Sequence, residues 1–315
     1  MEPSRLPRFS RARLNTPFCL TERDKKIIRF VHEHRFLRSS QIVALMRESP
    51  QAILRRLQLL YHHGYLERPR AQLDYYHSGG SRPIVYALAR KGAAFLKQEP
   101  GRKFQPFRWS EKHQSVGRVF LEHDLFVSDV MVTIELACCN HGEIRFISKE
   151  ELLSQAKRVF RWKVNINGQL KLSVVPDSVF GLEFTDTTGK RECAFFFLEA
   201  DRGTMPVNRR NLSQTSFYRK MLAYEASWYQ SMHTKRFGFH RFRVLTVTTN
   251  TTRVNNLVGS CSQLKSGRGL FLFTDRNALR TPPDVFSPIW QSATQAEPVS
   301  LLPKSPLLQT ANLAV

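Results

Sequence analysis

The sequence predicts an α+β chain: a small basic N-terminal domain of three helices and a hairpin, then a larger α/β domain with a mixed sheet. Three observations lead there. Between residues 20 and 62, apolar residues recur at helical spacing in three short segments, each opened by a Ser or Thr. Two β-like runs then flank a Gly-Gly pair. From about residue 112 onward, continuous apolar runs alternate with helix-period segments, the pattern of a sheet covered on both faces.

In the first domain, Thr21 is expected to cap a helix running to about His34, with Asp24 three residues on closing a variant capping box. Ser39 or Ser40 opens a second helix through Met46. Ser49 precedes a third, whose first position is Pro50, where the missing N–H is harmless. Gly64 ends that helix. The runs Tyr65–Arg68 and Pro83–Leu88 then form a hairpin with Ser78-Gly79-Gly80-Ser81 at its tip. Three helices followed by a glycine-tipped hairpin is the plan of a winged helix-turn-helix.

The third helix carries the most informative pattern. Ile53, Leu57 and Leu60 form one stripe, flanked by Leu54 and Tyr61, and opposite them stand Gln51, Arg55, Gln58 and His62. Arginine and glutamine are the types that reach guanine and adenine edges in a major groove. Arg56, at the side of the helix, suits a phosphate. A solvated polar face is the plainer alternative, but no acidic residue occurs from Pro50 to Leu66. In the hairpin, Arg68, Arg70 and Arg82 surround Tyr75, Tyr76, His77 and the glycines, and suit phosphates or an adjacent minor groove.

Composition agrees with a polyanionic partner. The 315 residues carry 48 Lys+Arg against 26 Asp+Glu, a formal net charge of +22, and the excess is concentrated in residues 1–112, which hold 23 and 9 of them. No apolar run approaches the ~18 residues of a membrane span, and no long basic amphipathic helix suggests a membrane surface. The five cysteines, Cys19, Cys138, Cys139, Cys193 and Cys261, have no zinc-site spacing. With no signal-peptide pattern at the start, a cytoplasmic location is expected. Residues 1–17, with Pro3, Pro7, Pro17 and four arginines, read as a basic flexible arm. The winged domain then covers 18–98, a linker 99–110, the α/β domain 111–281, and a disordered tail 282–315.

In the α/β domain a helix is expected over about 112–138 and a strand near Ile144–Ile147. Two β-rich runs follow, Leu172–Phe180 and Ala194–Glu199, then a helix from about Ser213 to Tyr229, a strand Phe242–Val247, a helix Thr252–Cys261 and a strand Leu270–Phe273. Several pieces resemble the plasmid replication-relaxation family of mobile-element proteins: Leu20-Thr21-Glu22-Arg23-Asp24, Val85–Gly92, and Val175-Pro176-Asp177 followed by Phe197–Thr204, with Lys220, Leu222 and Tyr224 beyond. The resemblance spans roughly residues 20–250 in scattered motifs and implies a setting in plasmid replication, relaxation or transfer.

The same pieces look like a PD-(D/E)XK nuclease core. Asp177 and Glu199 on successive β-runs would converge as metal ligands and catalytic groups for Mg²⁺ or Mn²⁺. Asp201 holds the place of the motif's lysine; Lys220, on the next helix, is the group that would return an ammonium. The opposing reading makes Asp177 a turn cap and Glu199 and Asp201 members of a structural network with Arg202, Arg209 or Arg210, and it is favoured because the lysine is displaced. The sequence thus points to a protein that binds double-stranded DNA, with other replication or transfer proteins as further partners. Its rivals are a metal-dependent nuclease or nicking factor, and a transcriptional repressor whose C-terminal domain only oligomerises.

Overall fold

The computed structural model describes residues 6–14, 17–73, 82–99, 117–156, 159–166, 168, 170–186, 188–280 and 284–302. The expected wing tip, the linker beyond Glu99 and residues 303–315 lie outside them. The chain is a mixed α+β protein of two compact units, residues 1–132 and 133–315. Among the described residues no helix is long and apolar enough to cross a membrane.

In the first unit, Thr21 accepts from the Asp24 N–H while Asp24 Oδ2 accepts from the Thr21 N–H at 2.8 Å, so the expected capping box starts α1 (Glu22–His34). A short strand, β1 (Phe36–Arg38), leads into α2 (Ser39–Met46); Arg38 is its N-cap residue, and the Arg38 N–H is satisfied by Gln41. Helix α3 (Pro50–His62) has Pro at its first turn and ends before Gly64, whose φ of +82° favours glycine. Strands β2 (Leu66–Glu67) and β3 (Val85–Leu88) pair antiparallel, and β1 joins β3 to give the order β1-β3-β2. Helix α4 (Arg90–Gln98) follows. Ile27, Ile28, Val31, Ile42, Ile53, Leu57 and Leu60 have no exposed surface and make the helical core.

Two features of this unit differ from expectation. Residues 6–14 of the arm are docked: Arg11 donates to the Tyr61 and Leu66 carbonyls at 3.0 and 3.1 Å and pairs with Glu67 at 2.7 Å, and the Ala12 N–H donates to His62 Nδ1. The arm has little apolar surface of its own; it is held instead by polar contacts to the end of α3 and to β2. The other difference is the long helix α5 (Arg118–Asn140), which the sequence assigns wholly to the second domain. Its first turns instead complete the first unit. Leu121 and Leu125 pack with Phe36, Val85 and Ala87, Ser128 donates to the Phe36 carbonyl, and Asp129 accepts from Arg38 and Gln41.

The second unit is built on a seven-stranded sheet. Its strands are β4 (Arg145–Ile147), β7 (Ser178–Thr185), β8 (Arg191–Ala200), β9 (Arg243–Thr248), β10 (Phe271–Asp275), β11 (Trp290–Ser292) and β12 (Gln295–Val299), in the order β12-β11-β10-β9-β8-β7-β4. Strands β8, β9 and β10 run parallel; the remaining pairs are antiparallel. Between β4 and β7 come α6 (Lys149–Ala156) and a separate hairpin of β5 (Trp162–Ile166) and β6 (Leu170–Val174). Helices α7 (Phe217–Tyr229) and α8 (Met232–Phe237) precede β9, and α9 (Thr251–Cys261) precedes β10.

The run Leu172–Phe180 is therefore two strands, broken at Pro176, which has no N–H for a ladder. Phe197 faces Trp162, Tyr224 and Phe242, whereas Phe196 stacks on Phe180, so both faces of the sheet are covered. The expected disordered tail is corrected: Val285, Phe286, Trp290, Leu301 and Leu302 are buried, and β11–β12 extend the sheet. Pro298 sits in the edge strand, where a missing N–H costs little.

Asp24 is fully buried and is held by Arg56, which donates from Nε to Oδ1 at 2.8 Å and from a terminal nitrogen to Oδ2. Burial pushes the Asp24 carboxyl up, but hydrogen bonds from Arg56 and Thr21 outweigh it and hold the group below its ordinary value of 3.8. Because the folded-state pKa is depressed, this contribution to stability is present above about pH 4 and is lost as pH falls through the lowered pKa. Arg56→Ala leaves a buried carboxylate without its partner and is expected to cost about 3–5 kcal/mol in chemical denaturation. Asp24→Asn should cost less, because the orphaned guanidinium retains some access to water; equal costs for the two would refute the asymmetry.

Candidate functional site

Two places in the chain gather the residues singled out from sequence, and each lies within one unit. The first is the outward face of α3. Gln51 and Arg55 are exposed, Gln58 is half-buried, and Leu54 beside them is 47% exposed. The helical period brings these four residues to one side: positions i, i+3, i+4 and i+7 share a face. Leu54, expected to flank the core, is the surprise, an apolar side chain set among groups that can hydrogen-bond base edges.

Three other expected contacts are not available there. Arg56 is held by Asp24 and lies over the Phe18 ring at 4.8 Å. His62 is buried under the docked arm, and its imidazole pKa is lowered by burial and by the nearby Arg68 charge. Arg68 is also buried. It stacks over Tyr61 at 4.1 Å and donates to the Tyr86 hydroxyl and the Arg8 carbonyl. These three residues organise the unit around the arm. Arg70 and Arg82 are exposed on the strand side, on either side of the residues expected to form the wing tip.

The second place is the edge where β7 leaves β8. Their antiparallel register sets Ser178 opposite Leu198, so the preceding Asp177 comes level with Glu199. Asp177 accepts from the Ala200 N–H at 2.8 Å and donates its own N–H to Leu198 O at 3.0 Å. Glu199 is buried, with both oxygens occupied: Lys220 Nζ donates to Oε2 at 2.5 Å and Tyr224 Oη to Oε1 at 2.6 Å. Lys220 and Tyr224 are one helical turn apart on α7, so a single helix face delivers both.

The charges are strongly coupled. Burial pushes the Glu199 carboxyl up to about 7, with the Lys220 ammonium opposing the shift and the Asp177 carboxylate adding to it. Burial likewise works against the Lys220 ammonium, but the two carboxylates outweigh it and raise its pKa. Tyr224 is pushed far above its usual range by burial and by Glu199. Sequence reasoning thus finds three partners of this cluster, Asp177, Glu199 and Lys220, and names Tyr224 beside them.

The neighbours of Asp201 are missed. It is met by Arg253, whose Nε donates at 2.7 Å, and by Thr248 at 2.9 Å, neither of which the sequence reading placed beside it. Arg253 opens α9 more than fifty residues away, and no local spacing announces it. As built, the cluster does not fit a divalent ion. Both Glu199 oxygens are committed to donors, the Lys220 ammonium already stands against Glu199, and among the described residues no three His, Cys, Asp or Glu side chains gather where a metal could be held.

Compared with known proteins, the chain matches the family described as replication-relaxation over residues 28–241. No curated protein and no solved structure matches it.

The raised Glu199 pKa has a measurable sign. A buried carboxyl protonated up to about pH 7 favours the folded state at low pH, and that advantage fades as pH rises from the unfolded-chain value near 4.3 toward 7. The wild-type chain should therefore lose stability relative to Glu199→Gln across this window, by at most about 1.4 kcal/mol per pH unit. Profiles of unfolding free energy against pH that run parallel for the two proteins would instead mean that Glu199 stays ionised throughout.

Proposed function

The chain belongs to the replication-relaxation family, and from that premise we propose that it grips duplex DNA in the replication, relaxation or transfer of a plasmid or other mobile element. The first unit acts as a winged helix-turn-helix: α1, α2 and α3 form the trihelical core, β2 and β3 the stem of the wing, and α3 is the helix that enters the major groove. One observation carries this reading. The exposed side of α3 combines Gln51, Arg55 and Gln58, which can pair with base edges, with Leu54, which can meet a thymine methyl group. Arg70 and Arg82 serve the phosphates beside it. Arg56, His62 and Arg68 support this face from behind.

A second reading, a metal-dependent nuclease, rests on the second unit. The succession α5, β4, β7, β8, α7, β9, with three antiparallel strands and then a parallel one, resembles the PD-(D/E)XK core, and Asp177 stands level with Glu199. Against it, Glu199 is already matched by Lys220 and Tyr224. The first reading therefore treats this cluster as a structural centre on a nuclease-like scaffold, since fold does not fix function.

Two measurements separate these readings. Arg55→Ala should weaken duplex binding by about 1–3 kcal/mol and relax preference at one base position; binding and preference left intact would remove α3 from recognition. Supercoiled plasmid incubated with the chain and Mg²⁺ or Mn²⁺ should stay intact, and neither ion should raise the melting temperature. Metal-dependent nicking that disappears in Asp177→Ala and in Glu199→Ala would establish the nuclease instead.

A further inference from the structure

The β5–β6 hairpin is not part of the main sheet, and its sequence alternates with a two-residue period. Trp162, Val164, Leu172 and Val174 are buried, with the Trp162 indole N–H donating to Ser227 on α7 at 2.9 Å. The intervening residues point the other way. Lys163 pairs across the hairpin with Ser173 and Asn165 with Lys171, all four exposed; Arg161, two residues before Lys163, shares their side.

Helix α8 adjoins this face. Arg236 donates to the Arg161 carbonyl at 3.3 Å, and Lys235 reaches the Gln230 carbonyl, whose own side chain donates to Asn165 O at 2.7 Å. Five cations are thus brought together. No acidic residue occurs in Val159–Val174 or Gln230–Arg243, and among the described residues none of the five makes an ion pair. Elsewhere in the unit, Arg145, Lys190, Arg191, Lys220 and Arg253 each sit against a carboxylate.

We propose that this face of the second unit, formed by Arg161, Lys163, Lys171, Lys235 and Arg236, is a separate, sequence-independent contact for the phosphate backbone of duplex DNA. Unpaired cations clustered on one rigid face create the positive field that a polyanion neutralises. Residues two apart on a strand are about 7 Å apart, so Arg161 and Lys163 can reach different phosphates. Val159 and Val175, about half exposed, lie only at the margin of the hairpin; the outward residues between Trp162 and Val174 include no aromatic or large aliphatic anchor of the kind a protein partner would bury. They offer only long, charged or hydrogen-bonding side chains, the types that fix a backbone without reading bases. This contact goes beyond the α3 interface and does not depend on it.

The test compares the full chain with the triple variant Arg161→Gln, Lys163→Gln, Lys171→Gln in duplex titrations between about 50 and 200 mM salt. The dependence of log affinity on log salt should become shallower by about 0.9 for each phosphate that the variant no longer neutralises, and affinity at the upper salt should drop at least about tenfold. Base preference should be unchanged. An unaltered slope in a variant with wild-type melting temperature overturns the proposal, as does an equal loss in Lys190→Gln, Lys265→Gln, Arg280→Gln, which removes the same charge elsewhere in the unit. Should the triple variant melt early, the single variants Lys163→Gln and Lys171→Gln each have to shift the slope by about 0.9 for the proposal to stand. Because Arg55→Ala alters base preference and the hairpin variants alter the salt slope and affinity without changing preference, either interface can fail without the other.

Discussion

A carboxylate taken out of water has to be matched, and much of this chain is arranged around three that are. Asp24, Glu199 and Asp201 are 0, 2 and 6% exposed, and each is met by one cation from a distant part of the sequence: Arg56, Lys220 and Arg253. Leaving any of them unpaired in a low-dielectric interior would cost several kcal/mol. The pairs therefore fix how helices meet their neighbours: α1 against α3, α7 against β8, α9 against the end of β8. Burying them also settles which cations are withdrawn from the surface. A charge of +22 does not by itself say where a polyanion would land; the paired groups are withdrawn from that choice, whereas Arg55 on the outer side of α3 and the cations of the β5–β6 face are not.

The docked arm applies the same logic to the backbone. Arg11 adds donors to the carbonyls of Tyr61, at the end of α3, and of Leu66, in β2, while Glu67 balances its charge. His62 and Arg68 are buried as a result. The end of α3 is therefore turned inward toward the arm, and its first two turns remain outward. The proposed contact face and the seat of the arm divide along a single helix.

Much of this is legible in the sequence, for identifiable reasons. Thr21 and Asp24, Pro50 and Gly64 mark helix ends through local chemistry, and the positions of α1 and α3 follow from them; α2 is capped at Arg38 rather than at Ser39 or Ser40. Asp177, Glu199, Lys220 and Tyr224 can be grouped because successive strands and the helix after them bring one end of a sheet together. What the sequence conceals is whatever distant residues decide. A helical wheel puts His62 on the outer side of α3 and Arg56 at its flank, but it cannot show an arm lying over one or Asp24 beneath the other. Trp290 to Val299 lack a clear alternation, and β11 is buried only because β10 is there to pair with it. Leu54 reads as a core residue because leucine usually is one.

The helix that begins at Arg118 has a consequence for how such a protein can be assembled from parts. Phe36, Val85 and Ala87 are covered by Leu121 and Leu125, and the β1 carbonyl of Phe36 is answered by Ser128. The first unit consequently does not end at the Pro100-Gly101 pair that looks like its border; it borrows its last wall from the same continuous helix that enters the second. Recombination at the apparent linker would hand a new host an open core with a bare strand carbonyl. A cut that spares the first unit's core has to fall beyond residue 132, so the two units are less easily parted than their sequence punctuation suggests.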